Sequence, residues 1–156
     1  MSVRVQTADF DVGAEYQQLI SNNPADGAVV FFVGLVRDIN QDDAVAGLFL
    51  EHYPGMTERA LEQIEADARA RWPLGRVQIV HRVGQLDVNE QIVFVGVSSR
   101  HREAAYEASQ FIMDFLKSQA PFWKKETLRT PEQQQERWID SADKDIAALA
   151  RWQTPS

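Results

Sequence analysis

Apolar positions along the chain fall into two repeating patterns, and their alternation lays out the elements. Ala28-Val29-Val30-Phe31-Phe32-Val33 is a continuous apolar run between Gly27 and Gly34. Its β-branched and aromatic content predicts a buried strand over Ala28–Val36. Val45, Leu48 and Leu50 alternate with small or polar residues and predict a second strand over Ala44–Tyr53. With the polar stretch Arg37–Asp43 as a long mobile loop, the two read as a hairpin. Met56, Ala60, Leu61, Ile64, Ala68 and Trp72 then recur at helical spacing, a stripe of about five turns that opens near Pro54 and ends at Pro73.

Further along, Val77, Ile79 and Val80–Val83 predict a strand, and Ile92–Val97 another, joined through Asp87-Val88-Asn89-Glu90. Ala104, Ala105, Ala108, Phe111, Ile112 and Phe115 make a second helical stripe from His101 to about Gln119, with Pro121 as its exit. Phe122–Thr127 reads as a last strand, and Thr130-Pro131 as the cap and first turn of a helix carrying Trp138 and Ile139. At the other end, Val3–Gln6 is a short strand and Val12–Ile20 a helix stopped by Ser21-Asn22-Asn23-Pro24. From residue 44 onward the order is β-α-β-β-α-β. That order fits a two-layer α+β domain with helices on one face of a largely antiparallel sheet. At roughly 150 residues per domain, the whole span 1–156 is expected to be one domain.

Composition narrows the chemistry. A formal charge of −7 argues against a whole-surface grip on nucleic acid or anionic lipid, while leaving a local anion site open. With Cys 0 there is no disulfide, no thiolate nucleophile and no cysteine-ligated metal or cluster. Any sulfur chemistry must use sulfur brought from elsewhere. No GxGxxG, GxxxxGKS/T or HExxH pattern occurs, and His52 and His81 lack ligand spacing, so neither a metal nor a resident cofactor is expected. The start of the chain lacks a basic segment followed by an apolar core, and no apolar run approaches the roughly 18 residues of a membrane span. A cytoplasmic protein is expected.

Charge is also unevenly placed. Residues 100–129 carry 6 basic and 4 acidic side chains and form the net-positive segment of an otherwise acidic chain. Only four lysines occur beside twelve arginines, and Lys117, Lys124 and Lys125 fall close together. Lysine, unlike arginine, offers an amine whose pKa can be tuned. Burial beside Phe122 and Trp123 would lower it, whereas a C-terminal helix cation and edge-strand lysines are the structural alternatives. Ser98-Ser99-Arg100-His101-Arg102 stands where a strand meets a helix N-terminus, a setting for phosphate or carboxylate, or for a plain Ser99 cap with solvated cations. Arg37 follows the apolar strand, where a ligand contact and a solvated arginine are both open. The helix from His101 to Gln119 would be about 27 Å long, so its two ends cannot share one small site within a monomer.

In order and spacing, the motifs Gly34-Leu35-Val36-Arg37-Asp38-Ile39-Asn40, Leu50-Glu51-His52-Tyr53-Pro54-Gly55-Met56, His81-Arg82-Val83-Gly84, His101-Arg102, Phe115-Leu116-Lys117 and Ala120-Pro121-Phe122-Trp123-Lys124-Lys125-Glu126 run through residues 27–126. This set resembles the large, catalytic subunits of molybdopterin synthase. The resemblance implies a two-layer α/β-hammerhead type domain with a small additional antiparallel β subdomain. It also implies a central homodimer carrying a small ubiquitin-like sulfur carrier at each end. The implied reaction moves sulfur from the carrier's C-terminal Gly-Gly thiocarboxylate to cyclic pyranopterin monophosphate, forming the dithiolene of molybdopterin. By position, Lys117 and Lys124 match the family's catalytic lysines, and Arg37, His101 and Arg102 its substrate pocket. Lys125 and Glu126 complete the pocket strand. Ile39 stands where many relatives place His, and Asn89 where a turn Gly is usual. A non-catalytic dimeric phosphate-binding module and an inactive scaffold are the competing readings, and neither accounts for so many motifs in register.

Overall fold

The computed structural model describes residues 2–40, 43–129, 134–139 and 143–153. Nine strands and four helices follow in the order β1 (Val3–Gln6), α1 (Val12–Ile20), β2 (Ala28–Leu35), β3 (Ile39–Asn40), β4 (Asp43–His52), α2 (Met56–Arg71), β5 (Leu74–Arg82), β6 (Gly84–Asp87), β7 (Gln91–Ser99), α3 (Arg102–Gln119), β8 (Phe122–Arg129), β9 (Gln134–Ile139) and α4 (Asp143–Ala148), then a 3-10 turn, Leu149–Trp152, among the described residues. They build two sheets. The first has the order β1-β5-β7-β2, with β1 parallel to β5 and the rest antiparallel. The second runs β3-β4-β8-β9, with β6 on β4, and is antiparallel throughout. The α+β class and the additional antiparallel unit both stand.

Period-2 alternation in β5 and β7 divides the first core. Val77, Ile79, Val93, Val95 and Val97 face Leu61, Ile64 and Ala68 of α2 and Ala108, Phe111, Ile112 and Leu116 of α3. Val80 and Phe94 point the other way, against Leu19 of α1 and Phe10 just before it. Each large aliphatic side chain so buried contributes about 1.5–3 kcal/mol. The two long helices therefore share one face, as their stripes require, and α1 covers the opposite one. Asp11 starts α1 by accepting a hydrogen bond from the Ala14 N–H at 2.9 Å.

Between the sheets the chain bends at Gly84, whose φ of 93° lies in the left-handed region that glycine tolerates. This bend turns the end of β5 into β6, where Gly84 pairs with Leu50. Leu48, Leu50, Val83, Leu86 and Val36 then form the second core.

Three expectations change. β2 and β4 do not form a hairpin, because β2 pairs with β7 and β4 with β6 and β8. Each strand found its partner far along the chain, which a local pattern cannot show. β2 is also an edge strand and not a fully buried one. Phe31 and Phe32 are each 42% exposed, since an apolar run reports composition and not the presence of a facing layer. Finally, Trp138 and Ile139 lie on β9 and not on a helix, paired with Lys125 and Lys124. The Gln- and Glu-rich segment has helix propensity, but ladder bonds to β8 and side-chain pairs across it prevail. Thr130 and Pro131 lie outside the described residues, and the helix forms later, at α4.

Candidate active site

α3 holds a group of predicted site residues at each of its ends. The residue that opens it, His101, is extended (φ −127°, ψ 150°) and makes no side-chain capping bond. The first-turn N–H groups therefore face an open cleft of about 460 Å³ lined by Gly27, Ala28, Arg100, His101, Arg102 and Glu103. His101 and Arg102 are both exposed.

The backbone beneath them is fixed by partly buried hydrogen bonds. Ser98 donates from Oγ to Asp26 at 2.7 Å and accepts from the Arg76 N–H at 2.8 Å, while Asn23 donates to the same Asp26 carboxylate at 2.8 Å. Ser99 donates to the Pro73 carbonyl at 2.8 Å, so it ties β7 to the start of β5 and is not the helix cap. Gly27 is also required here. A Cβ at that position would meet the Arg100 carbonyl oxygen at 2.9 Å. Unpaired helix N–H groups, the helix dipole and flanking cations make this end a fit for a phosphate or carboxylate.

At the other end, Lys117 is exposed on the last turn of α3 and Lys124 is half-buried on β8. In the antiparallel register Lys124 pairs with Leu50 and Ile139, while Phe122, two residues before it on the same face, pairs with His52. Burial in this apolar setting is the main cause of a Lys124 amine lowered to about 8, and the nearby charge of Lys117 lowers it further. The carboxylate of Asp145 acts against both. At pH 7 such an amine is still mostly cationic, yet roughly a tenth of it is neutral.

Beneath the strand lies His81, 2% exposed, with its ring stacked on Phe122 at 3.8 Å between centroids. Its Nδ1 is 2.8 Å from the Arg82 carbonyl, so Nδ1 carries the proton and donates it there. Burial holds the ring neutral, with a pKa lowered to about 3.

The remaining predicted residues divide by strand face. Glu126, two residues beyond Lys124 and on its face, is buried and accepts from Asn40 Nδ2 at 2.5 Å, with Arg137 Nε at 3.6 Å. Arg137 also donates to the Asn40 carbonyl at 3.1 Å. Together these bonds tie β3, β8 and β9, and they bind the loop that carries Arg37 to the lysine strand. Lys125 points to the opposite face, 3.0 Å from Glu136 and above the rings of Trp138 and Phe49.

Arg37 is exposed just after Val36. Val36 donates to the Glu90 carbonyl at 3.0 Å and accepts from the Asn89 N–H at 2.8 Å. Asn89 has a φ of 72°, so it takes the left-handed turn conformation in place of a glycine. Ile39 is 55% exposed on β3.

The fold thus brings Lys117, Lys124, Glu126 and the Arg37 loop to one region. His101 and Arg102 remain at the far end of α3, roughly 24 Å along the axis from Lys117. His81, Asn40, Arg137 and Asp145 belong to the lysine region and were not singled out by sequence. Asn40 and His81 lie inside the family motifs, but only their partners give them a role.

Known proteins resemble this chain in sequence and fold over most of its length. The family described as MoaE protein matches residues 5–119. The molybdopterin synthase catalytic subunit of Pasteurella multocida is 56% identical over 152 residues, covering 97% of this chain and 98% of that protein. Among solved structures, the molybdopterin biosynthesis MoaE protein from Burkholderia ambifaria superposes with a TM-score of 0.82 at 52% identity, covering 99% of each chain. Molybdopterin synthase from Staphylococcus aureus gives 0.78 at 31% identity, over 86% of this chain and 94% of that one. These likenesses place the chain in the MoaE family, among the catalytic subunits of molybdopterin synthase.

Proposed function

We propose that this chain transfers sulfur from the C-terminal thiocarboxylate of a small carrier protein to cyclic pyranopterin monophosphate, and that Lys117 and Lys124 are its working amines. The observation that carries this reading is Lys124 itself: a half-buried amine lowered to about 8 on a strand beside a second, exposed lysine. The carrier's extended tail threads to the lysines, with main-chain bonds supplying affinity. The lysine cations hold the thiocarboxylate and polarise its carbonyl. They also stabilise the oxyanion formed when water adds to the acyl carbon, whose collapse breaks the C–S bond, leaves the sulfur on the pterin and releases the carrier as a carboxylate. The sulfur comes from the carrier, in keeping with a chain that has no cysteine.

His101 and Arg102 grip the cyclic phosphate at the N-terminus of α3, and Arg37 reaches the substrate from its loop. Lys125 and Glu126 complete the pocket strand, through the pairs with Glu136, Asn40 and Arg137. The two ends of α3 are too far apart for one small substrate, and the homodimer that the family resemblance implies would bring the lysines of one subunit beside His101 and Arg102 of the other. We place the reaction in the cytoplasm. Among the described residues no helix is long and apolar enough to cross a membrane.

The test is conversion of cyclic pyranopterin monophosphate to molybdopterin by this protein with a thiocarboxylated carrier, with Lys117→Ala and Lys124→Ala run in parallel. Activity that collapses in both folded variants supports the reading. Full activity in both discards the lysine mechanism, and no product from wild-type protein that still binds its carrier overturns the enzyme.

A further inference from the structure

The core holds α3 only as far as Leu116. Phe111, Ile112 and Leu116 pack into the first core, whereas Lys117 and Gln119 beyond them are exposed. No left-handed residue caps the helix. Ala120 is extended (φ −74°, ψ 135°), and Pro121 after it has no N–H to return to the last carbonyls. A helix end of this kind frays when nothing else holds it.

Segment 145–152 grips this end on both sides of Lys117. One residue past Lys117, Ser118 donates from Oγ to the Asp145 carbonyl at 3.0 Å. Three residues before it, the buried Asp114 accepts from Trp152 Nε1 at 2.7 Å on Oδ2, with Arg151 Nε 3.5 Å from the same oxygen. Gln110 donates to the other carboxylate oxygen at 3.1 Å. The 3-10 turn sets the Trp152 ring edge-on to Trp72 and Phe111, at 5.5 and 5.4 Å between centroids. From the end of α2, Arg71 donates to the Trp152 carbonyl while its guanidinium lies 5.1 Å from the Phe111 centroid. Trp152 is thus fixed from α2 and α3 together and is bonded, through Asp114, one turn before Lys117.

We propose that segment 145–152 is a strap that sets the position of Lys117, with Trp152 as its positioning residue. Trp152 touches no reacting group and acts through Asp114 and the last turn of α3. This inference rests on the reading of Lys117 as a working amine. Bonds at Asp114 and Ser118 confine the backbone between them, and Lys117 lies in that interval. A catalytic group displaced by about 1 Å loses much of its effect, so a turn free to fray would not serve.

Hydrogen exchange, followed by peptide mass spectrometry, reads the strap without any substrate. In full-length Trp152→Ala the amides of residues 117–120 are expected to exchange about tenfold faster than in wild type, with those of residues 103–112 little changed. Sulfur transfer by the same variant, with a thiocarboxylated carrier, falls about tenfold in kcat while the KM for the pterin holds, because His101 and Arg102 stand at the other end of the helix. Trp152→Phe, which keeps an aromatic ring and lacks the Nε1 donor, lies between. Phe10→Leu, in the core on the opposite face of the sheet, supplies a variant of lowered Tm whose kcat is unchanged. Melting curves establish that each variant is folded. Unchanged exchange at 117–120 in folded Trp152→Ala overturns the proposal, as does a kcat loss that Phe10→Leu reproduces at equal loss of Tm. Should Lys117→Ala retain full sulfur transfer, the functional reading falls, while the exchange rates still decide whether the strap holds the turn.

Discussion

The two ends of α3 hold positive charge in opposite ways. At the N-terminal end, Arg102 and His101 stand in solvent over a backbone locked by Ser98, Asp26 and Asn23. At the C-terminal end, Lys124 is itself drawn into the protein, between β4 and β9, and its protonation depends on what surrounds it. An exposed guanidinium keeps its charge at any physiological pH and serves as a grip. A half-buried amine can be moved between charged and neutral forms and serves chemistry. On the proposed reading, one helix thus separates binding from reaction within a subunit by its own length.

The sharpest way to break this comparison is kinetic. Lys124→Ala is expected to lower turnover by about 10²–10³-fold, the usual cost of removing an oxyanion-stabilising group, with the larger effect on kcat. Arg102→Ala should act mainly on KM, by roughly tenfold, as the loss of one charge-assisted phosphate contact. Steady-state rates with varied pterin decide it, and the opposite split would exchange the two roles.

A mixing experiment tests where the ends meet. If each site takes its lysines from one subunit and Arg102 from the other, Lys124→Ala and Arg102→Ala subunits reassorted together leave one intact site in every mixed dimer. Recovery of about a quarter of wild-type activity is then expected. Sites contained within one subunit would give no recovery.

pH separates the buried bases from the exposed ones. The Lys124 amine is lowered from 10.5 to about 8 in the folded chain, so the unfolded chain binds more protons between those values. Stability from this group is present above pH 10.5 and lost as pH falls through 8. Lys124→Met should therefore be more stable than wild type at pH 7, by about 1 kcal/mol, with the gain fading above about pH 10.5 in denaturant titrations. His81 follows the same sign at lower pH. Its neutral form supports the fold above about 6.5, and that support is lost as pH falls toward 3. His81→Phe should give a shallower fall of Tm between those limits.

The smallest effect is expected at Lys125. Its ammonium lies on the opposite face of β8 from Lys124, near Glu136 and Trp138. Lys125→Ala should change stability by about 0.5 kcal/mol and turnover far less than Lys124→Ala does. A loss as large as that of Lys124→Ala would mean that both faces of the strand reach the substrate.

Much of the candidate site was legible because lysine is rare in this chain and helical stripes are long. The stripe ending at Phe115 placed Lys117 on a last turn, and Pro121-Phe122-Trp123 announced a strand start beside Lys124. What could not be read was which face each residue takes and what answers it. Adjacent Lys124 and Lys125 look equivalent in sequence and are split by the pleat. Ser99 looked like a cap until its hydroxyl met the Pro73 carbonyl.

The sequence by itself determined most of the local elements up to β8, the absence of an internal cysteine sulfur and the clustering of amines after residue 116. These follow from side-chain identity and short-range periodicity, which every chain carries in its linear order. Tertiary structure alone decided that β2 pairs with β7, that Trp138 rides a strand, and that Glu126 is locked by Asn40 and Arg137. It alone set Asp145 against Ser118 and lowered Lys124. Partners far apart in the chain, and the solvent they exclude, exist only once the sheets have assembled.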